Sequence, residues 1–191
     1  MFNKKLAIVG ASGAVGRVFI ELLDEMYPGT KDLSLVASKR SSGRSMFCGK
    51  QEFIIQDIKE FDFSQVEIAF FSAGAETAEK YAPIAVSKGC TVIDNSSQFR
   101  TDSDKPLIVP EVNSKDLKNF KLPGIIANPN CSTAQLVVAL KPIHDLFKIE
   151  RVDVASYQSV SGTGKEGIDE LLEQTENFLN KKEIKPKVYG A

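Results

Sequence analysis

The stretch from Leu6 to Met26 constrains the fold more than any other. Leu6-Ala7-Ile8-Val9 is a short aliphatic run, Gly10-Ala11-Ser12-Gly13-Ala14-Val15-Gly16 follows it, and then Val18, Phe19, Leu22, Leu23 and Met26 recur at helical spacing. A strand that turns through glycines straight into a helix is the opening unit of a nucleotide-binding sheet. The glycines let backbone approach a pyrophosphate, and the helix N-terminus faces its charge. The spacing is G-x-x-G-x-x-G rather than the commoner G-x-G-x-x-G, so a turn that only packs helix on strand is the competing reading.

The second predicted strand, residues 33–37, sharpens the choice. Dinucleotide-binding folds usually end it on an acidic residue that takes the ribose 2′-OH, and here the chain reads Ser38-Lys39-Arg40-Ser41-Ser42-Gly43-Arg44 instead. Cations and hydroxyls suit a 2′-phosphate, which favours NADP over NAD. The plainer alternative is a solvated basic loop. Beyond it, the pattern predicts a hairpin at the sheet edge over 45–58 and a doubly covered strand over 66–71. That strand ends at Ser72-Ala73-Gly74, small enough for a flat cofactor ring to lie close. A helix over 76–88 must start, kink or split at Pro83, and a strand over 90–93 leads into the polar loop Asp94 to Arg100.

An extended piece is expected over 107–112, with Asn113 capping a helix over 114–120. An apolar run over 124–127 leads to Asn128-Pro129-Asn130-Cys131-Ser132-Thr133, and Leu136, Val137, Leu140, Ile143, His144 and Phe147 mark a long helix interrupted by Pro142. Residues 152–160 alternate as a strand, and Ser161-Gly162-Thr163-Gly164-Lys165-Glu166-Gly167 opens a last helix. That glycine cluster is either a second binding loop or an ordinary strand-to-helix turn. The order predicts an α/β fold: a doubly wound, mostly parallel Rossmann-type sheet over residues 1–130, then the beginning of a second, α+β catalytic domain over 131–191.

Cys131 stands at the junction between the 124–127 run and its helix. Unpaired N–H groups and the positive end of the macrodipole favour a thiolate there, and the same donors, with the Asn130 amide, could hold an oxyanion. The alternative is a small apolar residue filling the first turn. His144, the only histidine, lies roughly 20 Å along the same helix and cannot reach that sulfur. Three cysteines, Cys48, Cys90 and Cys131, have no metal-ligand spacing, so no metal is expected and a reducing cytoplasm fits. The 24 Lys and Arg nearly balance 25 Asp and Glu, which argues against nucleic-acid or anionic-lipid partners, and no apolar run is long enough to span a membrane.

Taken together, Gly10-Ala-Ser-Gly-Ala-Val-Gly16, Phe71-Ser-Ala-Gly74, Ser96-Ser-Gln-Phe-Arg100, Val109-Pro-Glu-Val-Asn113, Asn128-Pro-Asn-Cys-Ser-Thr133 and Tyr157-Gln-Ser-Val-Ser-Gly162 resemble aspartate-β-semialdehyde dehydrogenase across essentially the whole chain. The resemblance implies NADPH-dependent reduction of L-aspartyl-4-phosphate to L-aspartate-4-semialdehyde and phosphate, towards lysine, threonine and methionine. It implies Cys131 as the nucleophile of an acyl-thioester, Arg100 as the phosphate grip and Gln158 as the substrate-orienting side chain. It assigns Gly10, Ser12, Gly13, Ala14 and Val15 to the pyrophosphate turn and Ser38, Arg40 and Ser41 to the 2′-phosphate. Ser72, Ala73, Gly74, Ser161 and Gly162 become cofactor contacts. The family is longer, homodimeric, and supplies an acid/base histidine from a C-terminal half, so these 191 residues read as an N-terminal portion with little turnover of its own. The competing assignments are N-acetyl-glutamyl-phosphate reductase, which usually carries Pro-Gly-Cys-Tyr-Pro at its nucleophile, and a non-catalytic NADP(H)-binding module.

Overall fold

The computed structural model describes residues 3–190; Met1, Phe2 and Ala191 lie outside the described residues. The chain forms two compact units, Met1–Ile149 and Glu150–Ala191.

The first unit is built on seven strands: β1 (Leu6–Val9), β2 (Leu33–Ala37), β3 (Ser45–Cys48), β4 (Gln51–Asp57), β5 (Ile68–Phe71), β6 (Thr91–Asp94) and β7 (Ile125–Ala127). Their order is β3-β4-β2-β1-β5-β6-β7, and every pairing is parallel except the β3–β4 hairpin at one edge. All four residues of β1 are buried, because a central parallel strand is covered on both faces. One face packs Ile8, Leu35, Ile55 and Phe70 against Ile20 and Leu23 of α1 (Ala14–Met26), with Phe19 stacked on Phe70 at 4.2 Å between ring centroids. The other packs Val9, Val36, Phe63 and Phe71 against Ala78, Ala82 and Ala85 of α2 (Ala75–Ser87). The doubly wound sheet expected from the alternation is therefore the fold observed.

Three local expectations need correction. α2 is neither started nor split by Pro83 but runs through it, with that residue on the exposed side while the alanines face the sheet. α4 (Cys131–Phe147) likewise runs through Pro142. The 107–112 piece extends only to Val109, since Pro110 starts a one-turn helix, α3 (Pro110–Asn113). Asn113 does not cap the backbone donors of the following 3-10 turn, Ser114–Asn119: its Oδ1 accepts from the Val109 N–H at 2.8 Å, and its Nδ2 donates to the Leu107 carbonyl and to Asp116 Oδ2, each at 2.9 Å. Third, residues 152–160 form no strand. Val152, Val154 and Tyr157 are exposed, and no described strand offers them a ladder, without which period-two alternation yields only irregular chain.

In the second unit, α5 (Lys165–Leu179) carries one buried carboxylate, Glu170, 4% exposed. It accepts from the Lys187 N–H at 3.0 Å and from the Val188 N–H, while Tyr189 Oη donates to the Val160 carbonyl at 3.3 Å. The C-terminal segment is thereby tied over α5 onto the 3-10 turn Val160–Thr163. Donation from the Lys187 N–H, then from Val188, holds the Glu170 carboxyl below the usual carboxylate range. A depressed native pKa contributes stability above the unfolded value of about 4.3 and loses it as pH falls through the lower native value. The amides of Lys187 and Val188 should therefore show hydrogen-exchange protection at pH 5 that declines below about pH 4. Protection factors unchanged across that range would contradict this.

Candidate active site

Every strand but β3 points its carboxyl end to one edge, and the winding reverses between β1 and β5. Open α/β sheets bind ligands at such a switch point. A cleft of about 320 Å³ lies there, lined by Gly10, Ser12, Gly13, Ala37, Ser38, Ser72, Ala73 and Thr77 among others. Gly10 has φ 90°, and a Cβ on it would lie 2.8 Å from the Ser72 carbonyl carbon and 2.9 Å from the Ala73 nitrogen. A Cβ on Gly16 would lie 2.8 Å from Ala11 Cα. Both glycines are thus required by close approach of backbone, the second by α1 seating on its own turn.

Ala14 and Val15 form the first turn of α1, which has neither an acidic residue nor a side-chain cap, so its N–H donors remain for a ligand. Ser12 Oγ donates to Ser41 Oγ at 3.1 Å, joining the glycine turn to the loop after β2. In that loop Lys39 and Arg40 are exposed and pair with no carboxylate among the described residues. Gly74, at φ 87°, begins α2 without a side-chain cap. The glycine turn, Ser38 at the start of the basic loop, and Ser72 and Ala73 thus meet at one cleft, whereas Arg40, Ser41, Ala14, Val15 and Gly74 do not line it. Sequence reasoning missed Thr77 and Ile58 in its lining, since neither belongs to a recognisable motif.

Three strand positions away, about 14 Å along the same edge, β7 ends and α4 begins. Asn130 is extended at its N-cap, and its Oδ1 accepts from the Thr133 N–H at 2.9 Å and the Thr133 hydroxyl at 3.0 Å. The oxygen is committed to capping, which leaves the amide nitrogen as the donor expected of this residue. Cys131 is the first helical residue and is exposed, whereas Cys48 and Cys90 are buried. Burial, with Asp24 nearby, raises the Cys48 thiol pKa, and burial pushes that of Cys90 up to about 12. In this chain Cys131 does not fill an apolar site.

Arg100 is half-buried beside this turn. Its Nε donates to the Asn128 carbonyl at 2.9 Å and its Nη2 to the Asn95 carbonyl at 3.2 Å. The guanidinium is therefore fixed three residues before Cys131. Asp94, fully buried at the end of β6, accepts from the Ser96 N–H at 3.1 Å and hydroxyl at 2.7 Å; burial raises its pKa, against those bonds and nearby Arg100. Gln158, Ser161 and Gly162 belong to the second unit, where a Cβ on Gly162 would overlap the Gln158 amide and Ser161 Oγ lies 2.9 Å from Ser159 Oγ. Among the described residues no cluster of His, Cys, Asp or Glu is arranged for a metal, and no helix is long and apolar enough to cross a membrane.

A family profile described as "Semialdehyde dehydrogenase, NAD binding domain" matches residues 5–120. The chain belongs to the semialdehyde dehydrogenase family. Residues 140–191 match its dimerisation domain. The aspartate-semialdehyde dehydrogenase of Shewanella sp. (strain DB6705) is 52% identical over 97% of this chain and 55% of its own length. In structure, the Vibrio cholerae aspartate semialdehyde dehydrogenase II solved in complex with ASA matches at TM-score 0.92 and 48% identity, over 100% of this chain and 57% of that one. The Candida albicans aspartate semialdehyde dehydrogenase solved with NADP matches at TM-score 0.65 and 31% identity, over 76% of this chain and 48% of that one. The chain thus spans about half the length of the relatives it matches, and the family resemblance of its motifs is borne out.

Proposed function

We propose that this chain supplies the NADP-binding site and the nucleophile of an aspartate-semialdehyde dehydrogenase that reductively dephosphorylates L-aspartyl-4-phosphate to L-aspartate-4-semialdehyde. The observation that carries it is the placement of an exposed Cys131 at a helix start beside the anchored Arg100, on the sheet edge that holds the glycine cleft. Relatives named for this activity, one solved with NADP and one with ASA, support the reading.

The residues present fit NADP: a backbone-lined cleft, uncapped N–H donors at α1 and, after β2, Lys39 and Arg40, which pair with no carboxylate among the described residues. Ser38, Arg40 and Ser41 take the 2′-phosphate and Ser72 to Gly74 flank the ring, with Ser161 and Gly162 as further contacts. When bound, the cofactor supplies the hydride. The Cys131 sulfur forms a bond to the acyl carbon as the carbon–oxygen bond to phosphate breaks, giving a thioester and phosphate held by Arg100. Backbone N–H groups of the first α4 turn and the Asn130 amide stabilise the oxyanion, and Gln158 orients the substrate. Cys131 would hold the acyl carbon as a thioester for the hydride that the bound cofactor would supply, and its sulfur would then leave as thiolate to free the aldehyde. The change from cofactor to catalytic function is placed at the 130/131 boundary, and the whole enzyme, serving lysine, threonine and methionine formation, is a homodimer.

Fluorescence titration of this chain with NADPH and NADH tests the cofactor assignment. NADPH should bind more tightly, and Arg40→Ala should reduce that preference roughly 10- to 100-fold, the loss of a charge-assisted contact. Equal affinities in the unaltered chain would overturn it. His144 lies 13 residues beyond Cys131 at the far end of α4, and no other histidine is present. The 191-residue polypeptide should therefore show little phosphate-dependent NADP reduction with aspartate semialdehyde; brisk turnover would contradict the assignment of the acid/base to the part of its relatives that this chain does not span.

A further inference from the structure

Arg100 does not reach its position unaided. The loops after β6 and β7 are joined by a side-chain bond, Asn128 Nδ2 donating to Asn95 Oδ1 at 2.6 Å. Two main-chain bonds flank it: the Asn128 N–H donates to the Asp94 carbonyl at 2.8 Å, and the Asn95 N–H to the Phe71 carbonyl at 2.9 Å. The two carbonyls that accept from Arg100 belong to these same asparagines. Asn95, Asn128 and Arg100 thus close a ring of three bonds in which each residue holds the other two. Beneath it the buried Asp94 carboxylate fixes the turn through Ser96, whose hydroxyl in turn accepts from the Gln98 N–H at 3.1 Å.

We infer that Asn95 and Asn128 are positioning residues, a clasp between two strand ends that sets the distance from the Arg100 guanidinium to the Cys131 sulfur. This rests on the reading of Arg100 as an anion grip beside the nucleophile. The physical ground is reach. Asn128 lies three residues before Cys131, about 10 Å of extended chain at most, so fixing its carbonyl fixes the guanidinium relative to the thiol. With Nε and Nη2 spent on carbonyls, the remaining donors of the fork have no partner among the described residues and stay available to an anion. A flexible arginine would meet the phosphate only part of the time; a clasped one is in place beforehand.

The clasp is measurable on this chain without turnover. Cys131 is the exposed thiol, so its alkylation can be followed by peptide mass spectrometry with anionic iodoacetate and neutral iodoacetamide. The ratio of the two rate constants reports the anion-attracting field at the sulfur and cancels changes in accessibility. Arg100→Leu should lower it about fivefold, as expected for one charge near the surface. Asn95→Leu and Asn128→Leu, which keep the number and branching of side-chain heavy atoms but remove the amide, should each lower it about two- to fivefold, and the double variant no further.

A ratio that falls for Arg100→Leu but not for either asparagine variant overturns the clasp and leaves the anion-grip reading intact. An unchanged ratio in Arg100→Leu overturns that reading instead. The clasp is then decided by the Arg100 Nε–H signal in NMR, which should exchange slowly in the wild type and quickly in Asn95→Leu. If that variant fails to melt cooperatively, the wild type alone decides: an Arg100 Nε–H exchanging as fast as that of the exposed Arg40 overturns the proposal.

Discussion

Gly10→Ala is expected to destabilise the chain by about 3 kcal/mol or more and to abolish dinucleotide binding. Two penalties combine. Backbone at φ 90° strains any residue with a Cβ, which alone costs on the order of 1–3 kcal/mol. The new methyl would also lie 2.8 Å from the Ser72 carbonyl carbon, and that backbone is held by two bonds to the Val9 carbonyl, from the Ser72 N–H at 2.8 Å and its hydroxyl at 3.0 Å. The strand end cannot withdraw without opening the cleft. Gly29→Ala is the control, because Gly29 has φ 77° but nothing near its missing Cβ. Thermal melts should place Gly10→Ala about 10 °C below the wild type and clearly below Gly29→Ala. Equal melting temperatures for the two variants would show that the close approach contributes nothing.

The second large effect concerns the sulfur. A chimera completing this chain with the second half of the Vibrio cholerae relative restores the length of the family, and in it Cys131→Ser should lower kcat by about 10⁴ or more. A serine hydroxyl keeps the place at the start of α4 but, unlike a thiol, is hardly ionised at neutral pH and is a far weaker nucleophile even beside a base. NADPH affinity should be unchanged, since Cys131 does not line the glycine cleft. A variant retaining about a tenth of the wild-type kcat would remove the sulfur from the chemistry.

The parts of this molecule that could be read in the sequence are those whose physics is local. A buried parallel strand declares itself by an unbroken aliphatic run, and a glycine turn by residues that cannot be replaced, so β1, its turn and α1 appear where expected. Pro83 and Pro142 misled because a proline removes only one helical bond, and on an exposed face the helix tolerates that loss. Asn113 looked like a cap because its side chain suits one; only the local path shows its oxygen taken by the Val109 N–H and its nitrogen by the Leu107 carbonyl and the Asp116 carboxylate. Residues 152–160 alternate as a strand, yet alternation supplies no partner. At the site, Cys131 was legible as a thiol at a helix start and Arg100 only through the family resemblance, while the Asn95–Asn128 bond that relates them spans 33 residues and leaves no periodic trace.

The acyl-enzyme itself tests the central claim most directly. The chimera is mixed with aspartate semialdehyde and NADP in the absence of phosphate, then quenched and peptide-mapped. One aspartyl group should appear on Cys131 for each NADPH formed, and it should vanish when phosphate is added before the quench. NADPH formed with no acyl group on Cys131, or with the group carried elsewhere, would contradict the account.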